Sequence, residues 1–245
     1  MLGSQNTHPE TEFPLNLEQL FETHLAAKTN LDHFNAANLF AFHIMGNPGA
    51  GKTTLIERTL EKLSDRAKSV VIQGQIVTEL DTDRLRLNGT PTVSIVTESS
   101  NQLSAEMVSN ILPQIQLEEF DLLWIENVGN LLTPAQFPLG THKNILLVSV
   151  TDGEELPLKY PSLFQEADCV LLTKVDLLPH LHFKLGRLID HIEEIQPGVP
   201  IIDLSAESGD GMDQWLQWII EETRLFADEE VDTTYEKPID VPFIG

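Results

Sequence analysis

The stretch from Gly46 to Thr54 constrains the fold more than any other part of the sequence. It reads Gly-Asn-Pro-Gly-Ala-Gly-Lys-Thr-Thr and therefore contains the spacing G-x-x-x-x-G-K-T. The apolar run Leu39–Met45 predicts a buried strand before it, and the helical apolar spacing of residues 55–63 predicts a helix after it. Strand, glycine-rich loop and helix come in the order that a phosphate-binding loop requires.

This loop is predicted to bind a nucleoside triphosphate together with Mg²⁺. Its glycines allow consecutive backbone N–H groups and the positive end of the helix to point at one phosphate. We expect Lys52 to bridge the β- and γ-phosphates and the Thr53 hydroxyl to ligate Mg²⁺. The predicted nucleotide contacts are Gly46, Asn47, Pro48, Gly49, Ala50, Gly51, Lys52, Thr53 and Thr54.

Composition limits the partners of the chain. Of its 245 residues, 38 are acidic and 15 basic, for a formal net charge of −23. Such a charge repels phosphates, so we expect neither nucleic acid nor membrane as a partner. A basic partner or a cationic cargo fits better, and an aid to solubility explains the charge equally well. A single cysteine, Cys169, and the lack of a signal-like or membrane-length apolar stretch predict a cytoplasmic protein.

Seven short apolar runs predict strands, and helical patterns separate most of them. Near-continuous apolar strands between helices are typical of a parallel sheet covered on both faces. The predicted fold class is α/β: a P-loop NTPase with a mostly parallel, doubly wound sheet of about seven strands and helices on both faces. The runs are Leu39–Met45, Ser69–Ile72, Thr92–Val96, Phe120–Glu126, Asn144–Val150, Asp168–Thr173 and Pro200–Leu204.

The chain is predicted to form one nucleotide-binding domain, residues 31–226, with an addition at each end. Residues 1–30 combine a polar, disordered segment with an amphipathic helix, and Asn30 or Asp32 is suited to cap a second helix. Residues 227–245 form an acidic tail.

Segments after the sixth and seventh predicted strands indicate the base. Thr173, Lys174 and Asp176 belong to the sequence Thr-Lys-Val-Asp, in which the carboxylate is able to accept the N1–H and N2 hydrogens of guanine while the Lys stem covers the ring. Ser205 and Ala206 are placed to donate a backbone N–H to the guanine O6. Adenine lacks this pattern, and a buried polar group left unpaired is costly. We favour GTP over the simpler interpretation of a strand end and a charged turn.

A second group of predicted residues surrounds the γ-phosphate. Glu126 ends the fourth predicted strand and is expected to meet Mg²⁺, directly or through water. Gly129 follows where a backbone N–H is able to turn toward the γ-phosphate. Asp81 and Asp83 are alternatives for Mg²⁺ or the attacking water, although a solvated helix start explains them more simply.

These motifs resemble the HypB family of hydrogenase nickel incorporation GTPases, within the SIMIBI class of P-loop proteins. The likeness runs from about residue 31 to residue 220 and, besides the phosphate loop, includes residues 126–130, 149–154, 157–161 and 173–179. The resemblance implies GTP and Mg²⁺ as cofactors and a GTP-dependent homodimer that switches conformation while nickel enters a [NiFe]-hydrogenase. It implies a HypA-type metallochaperone and the hydrogenase large subunit as partners.

The sequence departs from the family pattern where members hold zinc or nickel. The family Cys and His after the third strand correspond to Asn101 and Gln102, and a further Cys corresponds to Thr133. Amides and hydroxyls are poor ligands for these metals, so we expect no tight nickel or zinc site there. The family's Glu-Gly-Asp reads Gln-Gly-Gln at Gln73 and Gln75, which we expect to slow hydrolysis more than it weakens binding.

Other candidate ligands are few. We interpret His142, His180 and His182 as surface residues rather than a metal site, and Cys169 as part of the core. Lys159 is a candidate to reach across a dimer, although a surface Lys is the simpler interpretation.

Three functions remain open from the sequence. The first is a slow GTPase switch of the HypB type, in which Lys52, Thr53 and Glu126 are catalytic. The second is a guanine-nucleotide-binding scaffold or regulatory module with lapsed metal binding and weak or no hydrolysis; the missing ligands favour it and the intact loop and Asp176 oppose it. The third is a related GTPase that serves urease or a corrinoid enzyme, which the segments at residues 126–130 and 157–161 oppose.

Overall fold

A seven-stranded sheet forms the centre of the computed structural model, which describes residues 17–75, 89–97, 102–129 and 138–229. The strands are β1 (Phe40–Gly46), β2 (Ser69–Gln75), β3 (Thr92–Val96), β4 (Leu122–Glu126), β5 (Lys143–Ser149), β6 (Cys169–Thr173) and β7 (Ile201–Leu204). Their order across the sheet is β3-β2-β4-β1-β5-β6-β7, and every neighbouring pair is parallel. The strands on the two sides of β1 continue the sheet in opposite directions. Such a change in strand order leaves a crevice at the carboxyl ends of the strands, where open α/β sheets bind ligands.

Helices cover both faces of this sheet. They are α1 (Leu17–Ala36), α2 (Lys52–Leu63), α3 (Ala105–Ile111), α4 (Leu156–Lys159), α5 (Pro161–Gln165), α6 (Leu185–Ile195) and α7 (Met212–Glu229). Short 3₁₀ turns occupy Leu112–Gln114, Leu117–Glu119 and Val175–His180. The longest of these turns begins two residues after the end of β6 and carries Asp176, one of the residues predicted to recognise the base.

Alternate side chains of each strand enter separate cores on the two faces. On one face, Phe42 and Trp124 pack with Trp215 and with the apolar side of α2. On the other face, α1 and α3 cover β1, β2 and β4, while α5 and α6 cover β5 and β6. The strands are apolar on both faces, and buried polar side chains among the described residues, such as His43 and Thr59, make specific hydrogen bonds.

The predicted α/β fold is confirmed, and the sheet is wholly parallel rather than mostly parallel. Strand ends agree within two residues except at β2, which continues to Gln75 because residues 73–75 pair with β3. The predicted cap at Asn30 or Asp32 is wrong, because α1 is one helix that passes through both. Asn30 instead lies buried against α3, and the predicted domain boundary at residue 31 falls inside α1.

Candidate functional site

Glycines set the shape of the phosphate loop. Gly49 and Gly51 have φ of 79° and 96°, a region that side chains with a Cβ disfavour, and α2 begins at the next residue, Lys52. The Lys52 ammonium donates to the carbonyl oxygens of Gly46 (3.0 Å) and Asn47 (3.1 Å). The first N–H groups of α2 have no partner within the helix, so the loop presents donors and a buried cation to an anion.

A cavity of about 580 Å³ opens above this loop at the carboxyl ends of β1, β2 and β4. Its volume falls in the range of small-ligand sites. The cavity brings together residues predicted to bind the phosphates and the γ-phosphate. It also includes Gln73 and Gln75, which only the family resemblance had connected with the nucleotide. Its lining consists of Pro48, Gly49, Gly51, Lys52, Thr53, Thr54, Gln73, Gly74, Gln75, Glu126, Asn127, Val128, Gly129 and Lys174.

A chain of hydrogen-bonded side chains, in which Gln73 and Glu126 are buried, crosses the floor of this phosphate cavity. The Thr53 hydroxyl donates to Glu126 Oε1 at 2.6 Å, and the Gln73 amide donates to Glu126 Oε2 at 2.9 Å. Gln75 in turn donates to Gln73 Oε1 at 3.0 Å. Thr53 and Glu126, the two predicted Mg²⁺ ligands, therefore adjoin each other. Their hydroxyl and carboxylate oxygens are the hard donors that Mg²⁺ prefers, so the donor set fits this ion.

The loop after β4 rests directly on the phosphate loop. A Cβ added at Gly129 would lie 2.7 Å from the backbone nitrogen of Pro48, closer than real Cβ contacts. Only a glycine allows this approach. The predicted contact between its N–H and a γ-phosphate stays a prediction, and the geometry places this residue at the cavity wall.

A second cavity, of about 180 Å³, adjoins the first and holds the predicted base-recognition residues. Lys174 has a left-handed backbone (φ 62°), which turns the chain sharply at the end of β6. The Thr173 hydroxyl donates to the carbonyl oxygen of Ala50 (2.8 Å) and so joins this segment to the phosphate loop. The lining is Ala50, Gly51, Thr54, Leu55, Thr173, Lys174, Asp176, Leu177, Leu204, Ser205, Ala206 and Glu207.

The backbone near Ser205 refines the predicted contact with the guanine O6. The Ser205 N–H donates to the carbonyl of Asp210 at 2.8 Å, so it is already engaged. The Ala206 N–H makes no hydrogen bond to any residue that the structure describes, which leaves it as the better donor. Leu177 and Glu207, which sequence reasoning missed, also line the cavity, and their only signal was adjacency to the motifs.

Several candidate residues lie elsewhere. Asp81, Asp83, Asn101 and Thr133 fall outside the described residues, whereas Gln102 is described and half-buried. His180, His182 and Lys159 are exposed. Cys169 is buried in the core, and burial raises the pKa of its thiol.

His142 is a structural residue rather than a ligand. Its Nδ1 accepts from the backbone N–H of Ala41 (2.9 Å), and its Nε2 donates to Asn35 Oδ1 (2.8 Å). Burial, and secondarily Lys143, lower the pKa of His142 to about 4, which keeps the ring neutral. In the described ranges, no three His, Cys, Asp or Glu side chains gather in a way that could hold a metal ion.

Comparison with known proteins decides the family. The CobW/HypB/UreG nucleotide-binding domain family matches residues 40–203. The chain is also 40% identical over 205 residues to the hydrogenase maturation factor HypB of Escherichia coli, across 84% of this chain and 71% of that protein. The chain belongs to the HypB family. The family predicted from the sequence motifs is therefore confirmed.

Solved HypB structures share the fold of this HypB-family chain. HypB from Archaeoglobus fulgidus superposes with a TM-score of 0.78 at 32% identity, covering 83% of this chain and 99% of that one. HypB from Helicobacter pylori in complex with nickel gives 0.78 at 30% identity, covering 88% and 100%. The LAO/AO transport system kinase, with a TM-score of 0.55 and 16% identity over 88% of this chain and 78% of that one, shares the fold alone. The predicted SIMIBI-class fold is confirmed. Of the described helices, none is long and apolar enough to cross a membrane.

Proposed function

We propose that this chain is a slow GTPase, residues 31–226 forming its catalytic domain, that assists nickel insertion during [NiFe]-hydrogenase maturation in the cytoplasm. The observation that carries the proposal is a pair of adjoining cavities, one built for phosphates and one for a base, which share Gly51, Thr54 and Lys174. The E. coli relative named as a hydrogenase maturation factor supports the client process. A GTP-dependent homodimer, a HypA-type metallochaperone and the hydrogenase large subunit complete the proposal.

Binding is proposed to use the phosphate loop from Gly46 to Thr54 and the base cavity. Lys52 exchanges its carbonyl partners for the β- and γ-phosphate oxygens, which gain charge-assisted hydrogen bonds. Asp176 accepts the two guanine hydrogens, the Ala206 N–H donates to O6, and the Lys174 stem covers the ring. Thr173 and Ser205 hold the walls of this cavity in place through their hydrogen bonds to Ala50 and Asp210.

Hydrolysis is proposed to depend on the hydrogen-bonded side chains that cross the floor of the phosphate cavity. Bound Mg²⁺ supplies neutralisation of charge on the β- and γ-oxygens. Thr53 and Glu126, which bond each other, would hold the ion, and Gln73 would keep the Glu126 carboxylate oriented through its own bond to Oε2. Among the described lining residues, Lys52 and Lys174 are the cations and no arginine is present, which is consistent with slow turnover.

A scaffold that binds guanine nucleotide without hydrolysing it is the second candidate. One observation favours it: Glu126 is the single carboxylate among the described residues that line the phosphate cavity. Gln73 and Gln75 stand where the family pattern has acids, so the site holds Mg²⁺ with fewer charges. In the first candidate function, nickel is cargo rather than a resident ion of this chain.

Calorimetry and turnover measurements on the full chain separate these functions. We expect GTP to bind at least about 100-fold more tightly than ATP, because Asp176 discriminates the bases. We also expect turnover above that of free GTP in the presence of Mg²⁺. Absence of guanine nucleotide binding would overturn the proposal, and binding without turnover would leave the scaffold. Stoichiometric, submicromolar nickel or zinc binding would contradict the interpretation of Asn101, Gln102 and Thr133.

A further inference from the structure

Two buried asparagines connect the nucleotide site with α1, and the proposed binding and hydrolysis steps use neither. Asn127 directly follows β4 and is 2% exposed, and Asn30 lies within α1 and is 0% exposed. A buried amide left unpaired costs free energy, so each side chain is held in place by its partners. Those partners lie on different segments of the chain, which makes both asparagines junctions.

Asn127 joins the loop after β4 to the segment before α3. Its Oδ1 accepts the backbone N–H groups of Val128 at 2.8 Å and Leu103 at 3.0 Å. Its Nδ2 lies 2.8 Å from His43 Nε2, which acts as the acceptor. Burial lowers the pKa of His43 to about 4, so the ring stays neutral and retains this lone pair. One amide oxygen therefore attaches two segments that are 25 residues apart in the chain, from Leu103 to Val128.

Close packing makes this attachment stiff. A Cβ added at Gly74 of β2 would lie 2.9 Å from Leu103 Cγ and 3.0 Å from Val128 Cγ2. No methyl group fits, so the two side chains lie directly on the strand backbone. A displacement of Val128 is expected to displace Leu103 as well, because a packed interior transmits strain. Val128 itself precedes Gly129, which rests on the phosphate loop at Pro48.

Asn30 makes the second junction, between α3 and α1. Its Nδ2 donates to the carbonyl oxygens of Ala105 (2.9 Å) and Leu139 (3.0 Å), and its Oδ1 accepts from the Ser109 hydroxyl (2.6 Å). Ala105 is the first residue of α3 and lies two residues after Leu103. The contacts thus continue from the phosphate loop through Asn127 and α3 to Asn30.

We propose that Asn127 and Asn30 are positioning residues that transmit the state of the nucleotide from the loop after β4 to α3 and α1. The inference rests on the proposed GTP binding, because the signal is the presence or absence of a γ-phosphate beside Gly129. The loop is the element that senses the phosphate, and α1 is the element that responds. Such coupling requires an element whose position both sites bias, and α3 occupies that place.

Hydrogen exchange of the full chain with GDP or a non-hydrolysable GTP analogue tests this path. We expect the exchange rate of peptides within residues 102–112 and 21–36 to differ about fivefold between the two nucleotides, the factor that one net hydrogen bond contributes. Asn30→Ala should keep the difference in residues 102–112 and lose it in residues 21–36. Asn127→Ala should lose both differences, and because Asn127 lines the phosphate cavity, the exchange is compared with every variant saturated with nucleotide.

Asn35→Ala is the matched control, because Asn35 is an asparagine of the same helix whose side chain bonds His142 instead of α3. It should leave both nucleotide-dependent differences intact. Asn127→Ser is the milder variant if Asn127→Ala does not fold. The inference is overturned if the wild-type chain binds both nucleotides without any difference in residues 102–112, or if the Asn127 variants retain the difference in residues 21–36. Failure to bind nucleotide at all would instead overturn the proposed function.

Discussion

The two halves of the nucleotide site are held in place by different means. In the base half, backbone geometry sets the position of Lys174, and a bond from the buried Thr173 to Ala50 fixes the segment to the phosphate loop. In the phosphate half, Thr53 and Glu126 depend on each other and on Gln73 for their orientation. We expect the base half to be preformed and the side chains of Thr53 and Glu126 in the phosphate half to rearrange when Mg²⁺ and a triphosphate enter.

This difference separates affinity from turnover. A preformed site binds without a free-energy cost for ordering. Nucleotide recognition is therefore expected to tolerate changes in the bonded side chains Thr53, Glu126 and Gln73 of the phosphate half. Hydrolysis needs donors and charges aimed at the transition state, so it is expected to be sensitive to those same changes. Four variants are expected to reveal this separation, with effects that decrease from Lys52→Ala to Thr173→Val.

Lys52→Ala should have the largest effect, because it removes the ammonium that is proposed to bind the β- and γ-phosphates. The ammonium is expected to make two charge-assisted bonds to phosphate, whose loss of about 4 kcal/mol corresponds to roughly a thousandfold weaker binding of GTP. Calorimetry with GTP and GDP measures it. Lys62→Ala, which changes an exposed Lys at the end of the same helix, is the control and should bind normally. A loss below tenfold would show that backbone donors alone hold the phosphates.

Asp176→Asn should affect the base half alone. The amide cannot accept both guanine hydrogens, so GTP binding is expected to weaken about a hundredfold while binding of xanthosine triphosphate improves. Competition between the two nucleotides measures the change in preference, and Asp190→Asn, an exposed Asp on α6, is the control. An unchanged preference for GTP would mean that the 180 Å³ cavity does not receive the base.

How much of this site could be predicted depended on the separation of the interacting residues in the chain. The phosphate loop is a local motif, so its strand, turn and helix were all deducible from adjacent residues. Strands β1 to β7 were predictable because buried parallel strands are continuous apolar runs. The placement of Asp176 next to the loop followed from the parallel sheet, which gathers strand ends at one edge.

The contacts that could not be predicted join distant segments. Asparagine is a common helix-capping residue, which suggested a cap at Asn30. Only the packing of α1 on Ala105 and Ser109 shows that Asn30 is a buried junction. Thr53 and Glu126 were both predicted to meet Mg²⁺, but the direct bond between them, which joins residues 73 positions apart, was not predicted. Hydrogen bonds of this kind are set by tertiary packing, which single-sequence patterns do not record.

Gln73→Glu should alter the phosphate half and leave the base half unchanged. The new carboxylate replaces an amide that donates to Glu126 at 2.9 Å, so two like charges meet unless a cation lies between them. We expect the Mg²⁺ concentration for half-maximal turnover to fall about tenfold, with the free energy of unfolding in Mg²⁺-free buffer lower by about 1 to 3 kcal/mol. Gln165→Glu, on an exposed position, is the control. Unaltered Mg²⁺ dependence would contradict the assignment of Glu126.

Thr173→Val should have the smallest effect and tests the link between the halves. Valine keeps the shape of the side chain but removes the hydroxyl that donates to Ala50 at 2.8 Å. Because one hydrogen bond contributes about 1 kcal/mol net, GTP binding should weaken about fivefold. Thr173→Ser retains the donor and should restore most of this loss. The preference for GTP over ATP should stay constant, since it depends on Asp176; if Thr173→Val changed that preference, the base half would depend on the phosphate loop for its shape and would not be preformed.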